Sequence, residues 1–149
     1  MPRYDEVEVG TELPTGTYPL QRVDLVRYCG ASGDFNTIHW SDRVAREVGL
    51  PDVLAHGMFT MATAVRVVTE WVGDPGAVVQ YGVRFTRPVP VDDVRGATLD
   101  VGAVVAAKDE QARTVRVDLT ATIPGAGGAD GADRPVAVLG RARAVVRLP

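Results

Sequence analysis

Residues 56–72, HGMFTMATAVRVVTEWV, decide the fold. Thr60, Thr63, Arg66 or Val67, and Glu70 recur there at three-to-four-residue spacing while nearly every other side chain is apolar, which predicts one helix surrounded by protein on most sides. Gly73, Pro75 and Gly76 end it. Strand signals begin at once: Val79, Tyr81, Val83 and Phe85 alternate with Gln80, Gly82, Arg84 and Thr86 until Pro88 and Pro90 close the run. Leu99, Val101, Ala103 and Val105 share one face of 97–107, a KDEQ turn follows, and Val115, Val117, Leu119 and Ile123 alternate on the way back. That pattern predicts a long antiparallel hairpin. In the last run Val136, Val138, Gly140, Ala142, Ala144, Val146 and Leu148 lie on one face and Arg141, Arg143 and Arg147 on the other. A greasy helix followed by long antiparallel strands buries its surface when the sheet curls around it, so the expected class is α+β with a central helix as filling.

Upstream the pattern is helical, so helices are expected first and strands after. Residues 21–30, QRVDLVRYCG, predict a short helix that buries Val23, Val26 and Cys29 and ends at Gly30. Ser41 is the expected N-cap of a two-turn helix carrying Val44, Ala45 and Val48, stopped by Gly49 ahead of Pro51. The Gly/Ala/Asp run at 124–133 matches neither a phosphate-binding nor a calcium-binding repeat and is expected to be a surface loop.

A chain of 149 residues, 46% of them hydrophobic, fits one domain spanning 1–149. Its net charge of −3 and scattered basic residues argue against nucleic acid as the main ligand. No apolar run approaches the roughly 20 residues that a membrane helix needs. The acidic start, MPRYDEVEVGTELP, lacks the marks of a secretory signal, so a cytoplasmic location is expected. A single cysteine, Cys29, leaves no internal disulfide and no multi-cysteine zinc site, and reads as buried filler.

Chemistry concentrates around two histidines, the only two in the chain. His39 ends the loop Ser32-Gly33-Asp34-Phe35-Asn36-Thr37-Ile38-His39, where Asp34 and the imidazole can converge on one water or hydroxyl as an acid–base pair. Asn36 between them reads as a loop organiser. The second piece is Ala55-His56-Gly57-Met58 at the start of the long helix. Free amides and the positive end of the helix dipole point out of that end, and Gly57 has no side chain to block a ligand. Its N–H could polarise a thioester carbonyl. A metal trio of Asp34, His39 and His56 lacks HxxH or HxxxH spacing, and each group also has a purely structural reading.

The run from Tyr28 to Val94, with SGDFNTIH followed about 17 residues later by AHGM, resembles the MaoC-like dehydratases, or (R)-specific enoyl-thioester hydratases, of the hot-dog fold. It looks most similar to the catalytic subunit of a heterodimeric (3R)-hydroxyacyl-carrier-protein dehydratase. The resemblance implies a hydro-lyase that interconverts (3R)-hydroxyacyl and trans-2-enoyl thioesters without metal or redox cofactor. Asp34 and His39 would be the catalytic pair, Gly57 the oxyanion hole, and Asn36, His56 and Met58 substrate-binding or loop-supporting residues. It further implies a substrate carried by coenzyme A or an acyl carrier protein, and pairing with a second hot-dog subunit as homodimer or heterodimer. A hot-dog acyl thioesterase and a non-catalytic partner subunit are the alternatives. The sequence departs from the family pattern at Thr37, Ser41, Ala62 and Asp92, none of them a catalytic position.

Overall fold

The computed structural model describes residues 1–125 and 134–149. Its backbone is one antiparallel sheet of six strands: β1 (Gly16–Leu20), β2 (Val78–Phe85), β3 (Ala97–Asp109), β4 (Thr114–Ile123), β5 (Val136–Ala137) and β6 (Leu139–Arg147). The order across the sheet is β1-β3-β4-β6-β2, with β5 also on β4. The helices are α1 (Arg22–Ser32), α2 (Asp42–Glu47), α3 (Gly57–Ala64) and α4 (Arg66–Val72). Ala64, Val67, Val68 and Val72 from the helices share one buried cluster with Leu99, Val101, Val105, Val115, Val117, Ala144 and Val146 from the sheet. This is the hot-dog arrangement, with helix as filling and sheet as wrapping.

The β3–β4 hairpin and β6 follow the expected alternation because each has one face on the core and one in solvent. Four expectations need correction. β1 precedes every α-helix: five residues containing Pro19 give too little alternation to read, yet Tyr18 and Leu20 are buried where β1 pairs with β3. The long helix is two, interrupted at Val65. Thr60 and Thr63 donate their hydroxyls to the His56 and Phe59 carbonyls, a form of bonding that bends helices, and the Tyr81 hydroxyl donates to the Met61 carbonyl just before the break. Both threonines are therefore buried rather than part of a polar stripe; of that set, Arg66 and Glu70 face solvent.

The third correction is the rotation of α1. It runs past Gly30 to Ser32 and is closed by Gly33, whose φ of 75° places it in the left-handed region and whose N–H donates to the Cys29 carbonyl. Leu25 and Cys29 are the buried pair, whereas Val23 and Val26 are 50% and 60% exposed. Arg22 sets that rotation: it pairs with Asp42 and Asp52, each at 3.0 Å, and donates to the Val91 carbonyl. The fourth correction concerns β2, an edge strand with two register shifts against β6, which leaves Val79 and Phe85 exposed and Tyr81 and Val83 half-buried. α2 is capped by Ser41 as expected, though Val48 is exposed. Most of the expected loop at 124–133 lies outside the described residues.

Candidate active site

α1 ends at Gly33, and the chain enters a loop held by its own short polar side chains. Ser32 Oγ accepts from the Asp34 N–H, Asp34 Oδ1 from the Asn36 N–H, and Asn36 Oδ1 from the Ile38 N–H. The Trp40 indole N–H donates back to the Phe35 carbonyl at 3.1 Å. One carboxylate oxygen of Asp34 is thus engaged in shaping the loop. The other, Oδ2, lies 3.9 Å from His39 Nε2, the Asp34 side chain being 53% exposed.

His39 is buried at the inner end of this loop, 8% exposed. Its Nδ1 is 2.7 Å from the Leu54 carbonyl, which only accepts, so Nδ1 carries a hydrogen, and in the neutral ring Nε2 presents a lone pair toward Asp34. Leu54 also donates its N–H to the Ile38 carbonyl at 3.0 Å and so grips the loop twice. The segment around Leu54 is laced to 89–91: Ala55 N–H donates to Val89 and Val91 N–H to Val53, each at 2.9 Å. This ladder delivers the chain to Gly57, the first residue of α3, whose amide belongs to the turn with no intrahelical acceptor.

A cavity of about 370 Å³ lies where these pieces meet, lined by His39, Gly57, Thr60, Phe85, Arg87 and Leu139 among others. A Cβ on Gly57 would come within 3.2 Å of the Phe85 ring, so the glycine permits that close approach. Asp34 stands at the loop beside His39, and Asn36 acts through the loop backbone. Met58 is 56% exposed and is absent from the cavity wall. His56 is buried directly behind His39, with ring centroids 3.7 Å apart and planes at 21°. Its Nε2 donates to the Asp34 main-chain carbonyl at 3.1 Å, and burial holds its basicity below the ordinary histidine value.

Asp34, His39 and His56 each offer a ligand atom within 4.8 Å of the others. Two stacked rings direct their in-plane lone pairs along near-parallel planes instead of converging them, so this arrangement does not make a metal cage. Residue reading alone missed Leu54, Thr60 and Phe85 as site residues. They reach the site through long-range pairing of 53–55 with 89–91 and of β2 with β6, which leaves no mark in local spacing.

A family model described as MaoC like domain matches residues 6–123. The chain belongs to the MaoC-like domain family. Among its relatives is a Mycobacterium tuberculosis protein named 3-hydroxyacyl-thioester dehydratase X, 36% identical over 76 residues that make up 51% of this chain and 26% of the relative. A solved MaoC-like dehydratase aligns at a TM-score of 0.89 and 40% identity, over 99% of this chain and 42% of the other. The R-hydratase PhaJ1 from Pseudomonas aeruginosa aligns at 0.78 and 26% identity, over 99% and 85% of the two chains. The chain therefore spans about a quarter of the first relative and less than half of the first structure. No helix among the described residues is long and apolar enough to cross a membrane.

Proposed function

We propose that this MaoC-like domain is a hydro-lyase that reversibly adds water to a trans-2-enoyl thioester, giving the (3R)-hydroxyacyl thioester. The observation that carries the proposal is the 3.9 Å gap between Asp34 Oδ2 and the free Nε2 of His39, beside a cavity that also holds Gly57. Two acceptors at that separation suit one shared water, which donates a hydrogen to each and turns its own lone pair toward the substrate. In hydration the water oxygen bonds to C3 as one of its protons passes to the pair. The electrons of the C2–C3 double bond move toward the thioester carbonyl, whose oxygen the Gly57 N–H stabilises. A proton from the pair then reaches C2. Since water and proton both come from the side of the cavity where His39 lines it and Asp34 stands behind, both add to the same face. Dehydration is the reverse. The steps balance without metal or redox cofactor.

The names of the relatives, 3-hydroxyacyl-thioester dehydratase X and R-hydratase PhaJ1, support the reaction class. The handle is coenzyme A or an acyl carrier protein. The partner we infer is a second hot-dog domain, the same or different, against β2. At the other edge β1 is short and carries Pro19, whereas β2 is eight residues long with apolar Val79 and Phe85 exposed. No nucleic acid or membrane role and a cytoplasmic location complete the reading.

The test is loss of the conjugated double bond when the protein meets enoyl-CoA and enoyl-carrier-protein esters, with free thiol titrated in parallel. Enoyl loss without thiol release supports the proposal. Thiol release at the rate of substrate loss points to a thioesterase, and no turnover alone or with a hot-dog partner points to a non-catalytic subunit.

A further inference from the structure

We propose that His56 is the positioning residue of the acid–base pair, a neutral ring that ties the Asp34 main chain and the His39 imidazole to one rigid wall. This rests on the reading of Asp34 and His39 as the reacting groups. Three contacts define its place. Nε2 is 3.1 Å from the Asp34 carbonyl, the ring stacks on His39 at 3.7 Å, and Tyr28 packs against it at 4.8 Å with the planes tilted by 54°.

A carbonyl only accepts, so Nε2 carries the hydrogen and Nδ1 is a bare lone pair. Nδ1 is also the buried side-chain polar atom that lacks a partner among the described residues. A residue present only to fill this volume would be apolar and would leave no orphaned acceptor. A histidine supplies two things that an aliphatic side chain does not: a donor aimed at the loop and a flat face for His39.

Both act on the same distance. Holding the Asp34 carbonyl fixes the point from which its carboxylate projects, while His39 is held at its edge by Leu54 and on its face by His56. The 3.9 Å separation that a shared water requires depends on the two together. The clamp also needs a neutral ring. Asp34, His39, Cys29 and Tyr28 surround His56, and a positive charge there would oppose His39 whenever His39 holds a proton.

His56→Phe keeps a flat face and removes the donor; His56→Gln keeps a donor of similar reach and removes the face. Each is measured for kcat and KM in enoyl-thioester hydration beside Asp34→Asn, with circular dichroism to confirm folding. A displacement of about 1 Å costs on the order of 100-fold in rate, so His56→Phe is expected to lose about 100-fold in kcat with KM unchanged within about threefold. His56→Gln is expected to recover about tenfold of that loss. A folded His56→Phe within about threefold of wild-type kcat, or one whose loss lies in KM, overturns the proposal. Should His56→Phe fail to fold, His56→Gln decides: reduced kcat at constant KM supports the clamp, and wild-type kcat overturns it. An inactive Asp34→Asn beside an unimpaired His56→Phe sinks only the positioning role, whereas a fully active Asp34→Asn sinks the acid–base reading itself.

Discussion

The two histidine-bearing segments are built by opposite means. The loop from Asp34 to Trp40 is mostly exposed and is held by a chain of side-chain-to-backbone bonds, each short in sequence. The segment from Val53 to Thr60 buries Val53, Ala55, His56 and Thr60 while Gly57 and Met58 stay exposed, and it is held by pairing with 89–91 and by the start of α3. His39 sits where the two meet, belonging to the first by sequence and to the second by burial. Proton transfer by side chains of the first segment, with one main-chain donor at Gly57 and the support of buried His56 from the second, is the division of labour that this contrast suggests. Substitutions in the two segments should therefore fail differently.

The largest effect belongs to the exposed segment. Asp34→Asn and His39→Gln should each lower kcat by about 10²- to 10⁴-fold, and the thermal midpoint should shift little for exposed Asp34→Asn, as steady-state kinetics and thermal melts of the same samples will show. Next comes Gly57→Ala in the second segment. The new methyl would press on Phe85, which is half-exposed and able to turn over the Gly57 amide. A loss of about tenfold in kcat/KM is expected, below the 10²- to 10³-fold that removal of an oxyanion donor costs. Asn36→Ala removes the acceptor for the Ile38 N–H, and about 1 kcal/mol of stability should go with it in a denaturant titration.

The smallest effect separates the segments by pH. Burial keeps the folded-state pKa of His56 below its ordinary value of 6.5, so on acidification the unfolded chain takes up that proton first. The stability contributed by neutral His56 is fully present above 6.5 and is lost as pH falls from there toward the lowered folded value. His56→Gln should flatten the melting temperature against pH across that acid range, and equal slopes in both proteins would remove the burial argument.

Much of this was legible in the residues because it is local. Leu99, Val101 and Val105 alternate because each faces the core from a strand with one wet side, and the Asp34–His39 loop is marked by residue types whose side chains bond their own backbone. Elsewhere distant parts of the chain decide. Which face of α1 turns inward was set by Arg22 reaching Asp42, Asp52 and Val91, not by the count of valines. Around the break at Val65, side-chain hydroxyls donate to the Phe59 and Met61 carbonyls, one of them from a tyrosine on β2 that local spacing does not reveal. Phe85 and Arg87 join the cavity because strands pair across it.

The most direct measurement is the stereochemical course of hydration in heavy water, read by NMR as the relation between the deuterium placed at C2 and the hydroxyl at C3. One water held between Asp34 and His39 predicts a single product in which both have added to the same face, formed about 10²- to 10⁴-fold more slowly by Asp34→Asn. Addition to opposite faces, or deuterium scrambled over both positions at C2, contradicts a shared water and with it the pairing of these two side chains.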